Sequence, residues 1–95
     1  MKFRLEKADD GKHKWIGIFT DETGHEKRTP FGAVGYQDYT QHHNPIRRSQ
    51  YLARHKTRED WLEPTSAGSL SRWILWNSPS LEINVRKFKQ RFNLD

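Results

Sequence analysis

The chain has 95 residues, of which 33% are hydrophobic, 13% aromatic and 31% charged, which predicts one small domain over 1–95 with a modest, aromatic-rich core. It contains no cysteine, which excludes disulfides, thiolate metal sites and a cysteine nucleophile. No apolar run approaches the roughly 20 residues that span a bilayer, and the N-terminus alternates charged and apolar residues unlike a signal peptide. We therefore expect a soluble protein that is not secreted and has no membrane partner.

Two strands and a turn are predicted at the start of the chain. The segments Lys2 to Ala8 and His13 to Thr20 both alternate in a way typical of half-buried strands, and Asp9 to Lys12 is a turn signal between them. A third strand is predicted from Lys27 to Val34, where Pro30 confines it to a sheet edge or a bulge. The first third of the chain therefore predicts an antiparallel meander of three strands.

Three helices are predicted after an ordered connection from Tyr36 to His43, which shows neither strand nor helix periodicity. Asn44 and Pro45 are typical of an N-cap and first helical residue, and this helix should extend to about Thr57. A second helix follows a cap at Thr65 or Ser66 and ends near Asn77. A third begins at Ser80, with an apolar face of Leu81, Val85, Phe88 and Phe92. The predicted fold class is α+β, a three-stranded antiparallel sheet followed by three short helices.

The net charge of +5 is unevenly distributed along the chain. Residues 1–43 carry seven Lys or Arg and seven Asp or Glu, whereas residues 44–95 carry ten against five. Excess positive charge confined to one part of a protein is typical of a surface that binds a polyanion. The C-terminal half is therefore the expected binding region.

Basic residues are densest on the first predicted helix, where no acid occurs from Ile46 through Arg58. Guanidinium groups can hold phosphate oxygens bidentately, and each contact releases condensed counterions. The predicted nucleic-acid-binding residues are Arg47, Arg48, Arg54, Lys56, Arg58, Trp61, Arg72, Arg86, Lys87 and Lys89. The alternatives are an acidic protein partner or a solvated helix face, partly neutralised by Glu59, Asp60 and Glu63.

Six aromatic residues are interleaved with these arginines: Tyr36, Tyr39, Tyr51, Trp61, Trp73 and Trp76. Such rings can stack on unpaired bases. In a domain of this size most of them must also build the core, Trp73 in particular, whereas Trp61 and Trp76 equally fit a rim stacked on arginine.

Histidines and acids provide the candidates for catalysis or metal binding, namely His42, His43, His55, Asp38 and Glu59. Adjacent histidines cannot easily both point at one ion, and no H-x-x-x-H or H-x-x-E spacing occurs. No phosphate-binding glycine loop or G-x-S-x-G motif is present either. We predict no metal, no cofactor and structural roles for the histidines. A further alternative function is that of an enzyme, a small metal-dependent nuclease.

An ordered series of motifs carries a family resemblance. It includes Phe31-Gly32-Ala33, Gly35-Tyr36, Asp38-Tyr39-Thr40 and His42, then Arg48, Tyr51, Arg54-His55, Trp61, Ala67-Gly68 and Ser71 to Trp76. Over residues 25 to 92 the chain resembles a family of small proteins of large double-stranded DNA viruses and phages, a domain without assigned function. The resemblance implies a viral or phage origin and a location in the virion or the host-cell interior, cytoplasm or nucleus.

The leading hypothesis is a viral or phage nucleic-acid-binding accessory protein, with DNA favoured over RNA and little sequence specificity, because no helix-turn-helix or zinc-finger pattern is present. The alternative is a virion or host-interaction module that docks on a viral or host protein through Trp61, Arg72 and Trp76, residue types enriched at interface hot spots.

Overall fold

The computed structural model of the protein describes residues 1–95. Three strands precede the helical part of the chain, which confirms the predicted α+β class. The elements are β1 (Lys2–Lys7), β2 (His13–Thr20), β3 (Glu26–Ala33), α1 (Tyr39–His42), α2 (Pro45–His55), α3 (Ala67–Leu70), a π-helical segment (Ser71–Leu75) and α4 (Leu81–Arg91). None of the helices has the length and apolar character that crossing a bilayer requires.

The sheet is an antiparallel meander in the order β1-β2-β3. Phe3 lies opposite Phe19 in the register of β1 and β2, and Trp15 lies opposite Phe31 in that of β2 and β3. Because successive side chains of a strand alternate between faces, this register directs the aromatic residues to one side of the sheet. The predicted alternation is confirmed.

The other face of the sheet carries charged residues around Ile18, which is fully buried. Ile18 lies opposite Arg4 on β1 and Arg28 on β3. Both arginines form ion pairs with Glu6. Arg4 Nε lies 3.0 Å from one carboxylate oxygen of Glu6, and Arg28 Nη2 lies 3.5 Å from the other oxygen of the same carboxylate. Glu26 also pairs with both arginines. The N-terminal half therefore neutralises part of its own charge.

The helical part covers the aromatic face of the sheet and completes the core. The buried cluster comprises Phe3, Phe19, Phe31, Leu70, Ile74, Leu75 and Phe88. Leu70 approaches so closely that a Cβ on Gly17 would lie 3.0 Å from its Cδ1, which explains a glycine inside β2.

Three helices begin where the sequence predicts, and the second of them, α3, has Ser66 as its N-cap. Asn44 caps α2 by accepting hydrogen bonds from the amides of Ile46 and Arg47, and Ser80 caps α4 through the amide of Ile83. The chain bends at the end of β3, where Gly32 and Gly35 have positive φ values of 78° and 95°.

The predicted connection before α2 contains an additional single helical turn, α1. Asp38 is its N-cap and forms a capping box with Gln41. Four residues are too few for a hydrophobic period to show, but the Asp-x-x-Gln spacing is a recognisable start signal.

The second predicted helix is not uniformly α-helical. After Leu70 the chain continues as the π segment, and the amide of Trp76 donates to the carbonyl of Ser71 at 3.1 Å. The two tryptophans in and directly after the π segment contact different helices. The Trp73 ring contacts that of Phe92, directly after α4, and the Trp76 ring contacts that of Tyr51 in α2. Such π turns are frequent at functional sites.

Candidate nucleic-acid interface

A series of neighbouring aromatic rings, two pairs stacked and two pairs tilted, joins α1, α2 and the end of the π segment. The Trp76 and Tyr51 rings are parallel, with centroids 4.1 Å apart, and His55 stacks on Tyr51 at the same distance. The His42 ring lies 5.3 Å from Trp76, and Tyr39 lies 6.0 Å from His42. Burial raises the pKa of the Tyr51 hydroxyl, so this ring stays neutral. We call these five residues the aromatic ladder.

One end of the aromatic ladder is fixed by a hydrogen-bond chain. Nδ1 of His55 lies 2.9 Å from one oxygen of Glu59, and the other oxygen accepts from the Trp61 indole at 3.0 Å. The Trp61 carbonyl in turn accepts from the Trp73 indole at 2.8 Å. The loop after α2 is thereby bound to both the ladder and the π segment.

A cleft of about 570 Å³ opens beside the aromatic ladder. Its walls are the end of β3, the turn that precedes α1, one face of α2 and the side formed by α3 and the π segment. The lining residues are Lys14, Gly32, Ala33, Tyr36, Gln37, Asp38, Arg47, Gln50, Tyr51, Arg54, His55, Glu59, Ala67, Gly68, Ser71, Leu75 and Trp76. Many of the residues that carry the family resemblance thus converge on one cavity.

The charges inside the cleft differ in how they are compensated. Lys14 donates to the buried carboxylate of Asp38 at 2.8 Å, which neutralises both groups. Arg47 donates to the amide oxygen of Gln37 at 3.4 Å. Neither Arg47 nor Arg54 has a carboxylate within 4.0 Å, and both are exposed. The α2 wall therefore carries two uncompensated positive charges.

Across the whole chain, too, some cations have a carboxylate partner and others have none. Every lysine or arginine in an ion pair belongs to the N-terminal half, namely Arg4, Lys14 and Arg28, and none of the ten in residues 44–95 lies within 4.0 Å of a carboxylate. Seven of these ten are exposed: Arg47, Arg54, Lys56, Arg58, Arg86, Lys87 and Arg91. Arg91 was not among the predicted residues, although its i, i+4 spacing from Lys87 places it on the same side of α4.

Arg48 is held within the fold. Its Nε donates to the carbonyl of Trp76 at 2.8 Å, and its Cζ lies 5.7 Å from the Tyr39 ring centre. This contact satisfies a carbonyl at the end of the π segment, so the structure gives Arg48 a packing role whether or not it also contacts a ligand.

Arg72 and Trp61 also lie inside a packed group. The Arg72 Cζ is 4.2 Å from the Trp73 ring centre and 5.2 Å from that of Trp61, and its Nε is buried without a hydrogen-bond partner. Burial lowers the pKa of Arg72 to about 10. Arg91 covers Trp73 at 3.8 Å. The Trp and Arg surface on which the interaction-module alternative depends is thus largely used in internal packing, and that alternative stays an untested prediction.

The basic residues of α4 do not share the cleft. Arg86 and Lys87 are exposed and Lys89 is half-buried, and Lys87 borders a separate depression of about 500 Å³ together with Trp73 and Arg91. Of the ten predicted binding residues, only Arg47 and Arg54 line the cleft. Lys56 and Arg58 follow at the end of α2, where Arg58 Nε donates to the Arg54 carbonyl at 3.2 Å.

Three of the candidate acid and base groups, Asp38, His55 and Glu59, line the cleft, but their polar atoms are bound within the fold. Asp38 is occupied by Lys14 and by the cap of α1, and His55 is occupied by Glu59. In the 95 residues no group of three or more His, Asp or Glu side chains is placed to hold a metal ion.

His42 should make the protein sensitive to acid. Its Nδ1 accepts from the Asn44 amide at 2.9 Å and its Nε2 is buried without a partner. Burial, followed by the positive charge of Arg47, lowers the pKa of His42 from its ordinary value of 6.5. Below that value the unfolded chain binds the proton more readily than the folded chain, so this contribution to stability is present above pH 6.5 and is lost as the pH falls through the folded pKa.

We therefore expect the urea midpoint to fall between about pH 7.5 and 5.5, and to fall less in His42→Asn, because the Asn side-chain oxygen can replace Nδ1 as acceptor for the Asn44 amide without titrating. The four other histidines are present in both proteins, so the difference between the two curves isolates His42. Parallel curves would contradict the prediction.

Comparison with known sequences identifies a family for this chain. No curated protein and no solved structure matches the chain. The sequence profile of a family of unknown function, DUF5754, matches residues 3–55. The matched range contains the sheet, α1 and α2, and so includes both arginines of the cleft. The expectation of a family without assigned function is confirmed: the match covers more than half of the chain, which therefore belongs to the DUF5754 family.

Proposed function

We propose that this protein is a nucleic-acid-binding accessory protein of a virus or phage that contacts the phosphate backbone through α2 and the turn that follows it. DNA is the proposed ligand, with little dependence on its sequence. The viral origin, with a location in the virion or the host-cell interior, rests on the motif resemblance alone, whereas the binding rests on the distribution of charge.

The observation that carries the proposal is the absence of acidic partners for the exposed cations of the C-terminal half. Arg47, Arg54, Lys56 and Arg58 have no carboxylate within 4.0 Å, although Glu59, Asp60 and Glu63 follow directly in sequence. Those acids bond instead to the ring of His55, the amide of Leu62 and the hydroxyl of Thr65. Unpaired cations remain available to phosphates and give an affinity that falls steeply with salt.

The geometry of α2 suits an extended polyanion. Arg47 and Arg54 are seven residues apart, so they lie on one side of the helix and about 10 Å apart along its axis. A strand of DNA advances about 3.4 Å per phosphate, so this side of α2 extends along several phosphates. No base-reading element is required, which agrees with binding of low sequence specificity.

The test is fluorescence anisotropy with a labelled 20-mer at two salt concentrations. The double variant Arg47→Gln/Arg54→Gln should bind all sequences more weakly and reduce the slope of log K against log salt by about 1.4 to 1.8, because each lost phosphate contact removes about 0.7 for single strands and 0.9 for duplex. Lys2→Gln/Lys7→Gln is the matched control, since it removes the same charge from exposed positions on β1.

The control should keep the slope of the wild type. Equal losses in the two double variants would mean that net charge alone drives binding, and no binding at about 50 mM salt would mean that the charged face is merely solvated. Either result would overturn the proposal.

A further inference from the structure

We propose that the cleft beside the aromatic ladder takes one unstacked base of a single strand, with Tyr36 as the stacking surface and Arg47 and Arg54 on the neighbouring phosphates. This inference rests on the proposed function and names its substrate class, single-stranded rather than duplex nucleic acid.

Tyr36 differs from the other candidate aromatics in having a free ring. Tyr36 is 76% exposed, and it lines the cleft without stacking on any ring or cation. Tyr51, by contrast, is buried between Trp76 and His55. A single exposed aromatic residue is ordinary by itself; what matters here is that Tyr36 lines the same cleft as Arg47 and Arg54, the two arginines of α2 that have no carboxylate partner.

The remaining aromatics are committed to packing. Trp73 is covered by Arg72 and Arg91. The Trp61 indole donates to Glu59, and Tyr39 is covered by Arg48. Of the six candidate tyrosines and tryptophans, Tyr36 is therefore the one whose ring makes no stacking, cation or hydrogen-bond contact within the fold.

The cleft also offers groups for the edge of a base. Gln50 lies on α2 between the two arginines, lines the cleft and makes no side-chain hydrogen bond, so its amide retains both donors and both acceptor positions. A volume of about 570 Å³ falls within the usual range of small-ligand sites, about 300 to 1,000 Å³. Such a concave site can admit a base that leaves its stack, whereas the paired bases of a duplex are accessible only at their groove edges.

Phosphate contacts and base stacking predict opposite strand preferences. A duplex carries about twice the charge per unit length of one of its strands, so a purely electrostatic surface prefers the duplex. A stacking site prefers the single strand, because a paired base would first have to leave the helix. The preference therefore separates this inference from the proposed function.

The test compares an oligo-dT 20-mer with a 20-base-pair duplex in wild type, Tyr36→Ala, Tyr36→Phe and Leu62→Ala. Wild type should prefer the single strand. Tyr36→Ala should lose about tenfold or more of its single-strand affinity, with an unchanged salt slope and little change for the duplex. Tyr36→Phe keeps the ring and should retain the affinity. Leu62 is 75% exposed and lies outside the cleft, so Leu62→Ala controls for removal of an exposed side chain.

The outcomes distinguish the two proposals. Salt-dependent binding with no single-strand preference, or with equal affinity in Tyr36→Ala and wild type, would overturn the assignment of the cleft and leave backbone binding in place. No binding of either oligonucleotide would overturn both. Circular dichroism of Tyr36→Ala should match that of wild type, because the replaced side chain is exposed.

Discussion

Replacement of Phe88 by alanine is expected to lower the free energy of unfolding by about 3–5 kcal/mol. Phe88 is 1% exposed and fixes α4 to the sheet. Its ring centre lies 4.9 Å from that of Phe3, 6.3 Å from that of Phe19 and 5.1 Å from that of Phe92. The variant would lose the transfer free energy of the ring and leave a cavity between three other aromatic side chains.

The loss should be visible as a large shift of the urea midpoint, since domains of this kind are stable by only about 5–15 kcal/mol. Phe92→Ala is the matched control, because the same deletion at a half-buried position near the end of α4 should cost less. Phe88→Leu should also cost less, since it keeps most of the volume. Equal effects of Phe88→Ala and Phe92→Ala would contradict the role assigned to Phe88.

Side chains whose burial follows from a local period were predictable from the sequence. The alternation of Phe3 and Leu5 identified β1, and the spacing of Leu81 and Phe88 identified α4. Asn44 and Ser80 identified helix starts, because a cap depends only on residues two or three positions away. These local signals were sufficient for the fold class.

Features that depend on distant partners were not predictable. The sequence favoured Val85 and Phe92 for the buried side of α4, yet Asn84 is fully buried and both apolar residues are only half-buried. Asn84 can be buried because its hydrogen-bond partners come from residues 74 and 78. No periodicity of α4 reveals those partners.

In the candidate site, too, the local signals were predictable and the contacts with distant residues were not. The sequence identified α2 as the basic helix but could not distinguish Arg48 from Arg54. The difference between them comes from Trp76, whose carbonyl binds Arg48 and leaves Arg54 free. Tyr36 belonged to the predicted aromatic set, but only the tertiary arrangement shows that its ring is the free one.

The buried amide of Asn84 gives the second large prediction. Its Nδ2 donates to the carbonyl of Ile74 at 2.7 Å and to that of Ser78 at 2.9 Å, and its Oδ1 accepts from the Ser78 hydroxyl at 2.5 Å. Asn84→Ala would leave buried polar groups without partners, each at about 1–3 kcal/mol. We expect a loss of about 2–4 kcal/mol in the free energy of unfolding, whereas Gln90→Ala, which removes an exposed amide from the same helix, should cost little.

Asn84→Leu discriminates between loss of volume and loss of hydrogen bonds. If the amide acts through the carbonyls, leucine should restore little stability, because it fills the space without supplying donors. The Ile74 carbonyl belongs to the π segment, so hydrogen exchange at the Trp76 amide, which donates to Ser71, should accelerate in both variants. Full stability in Asn84→Leu would contradict the hydrogen-bond role. Loss of stability with an unchanged exchange rate at Trp76 would show that Asn84 supports α4 and not the π turn that positions the cleft.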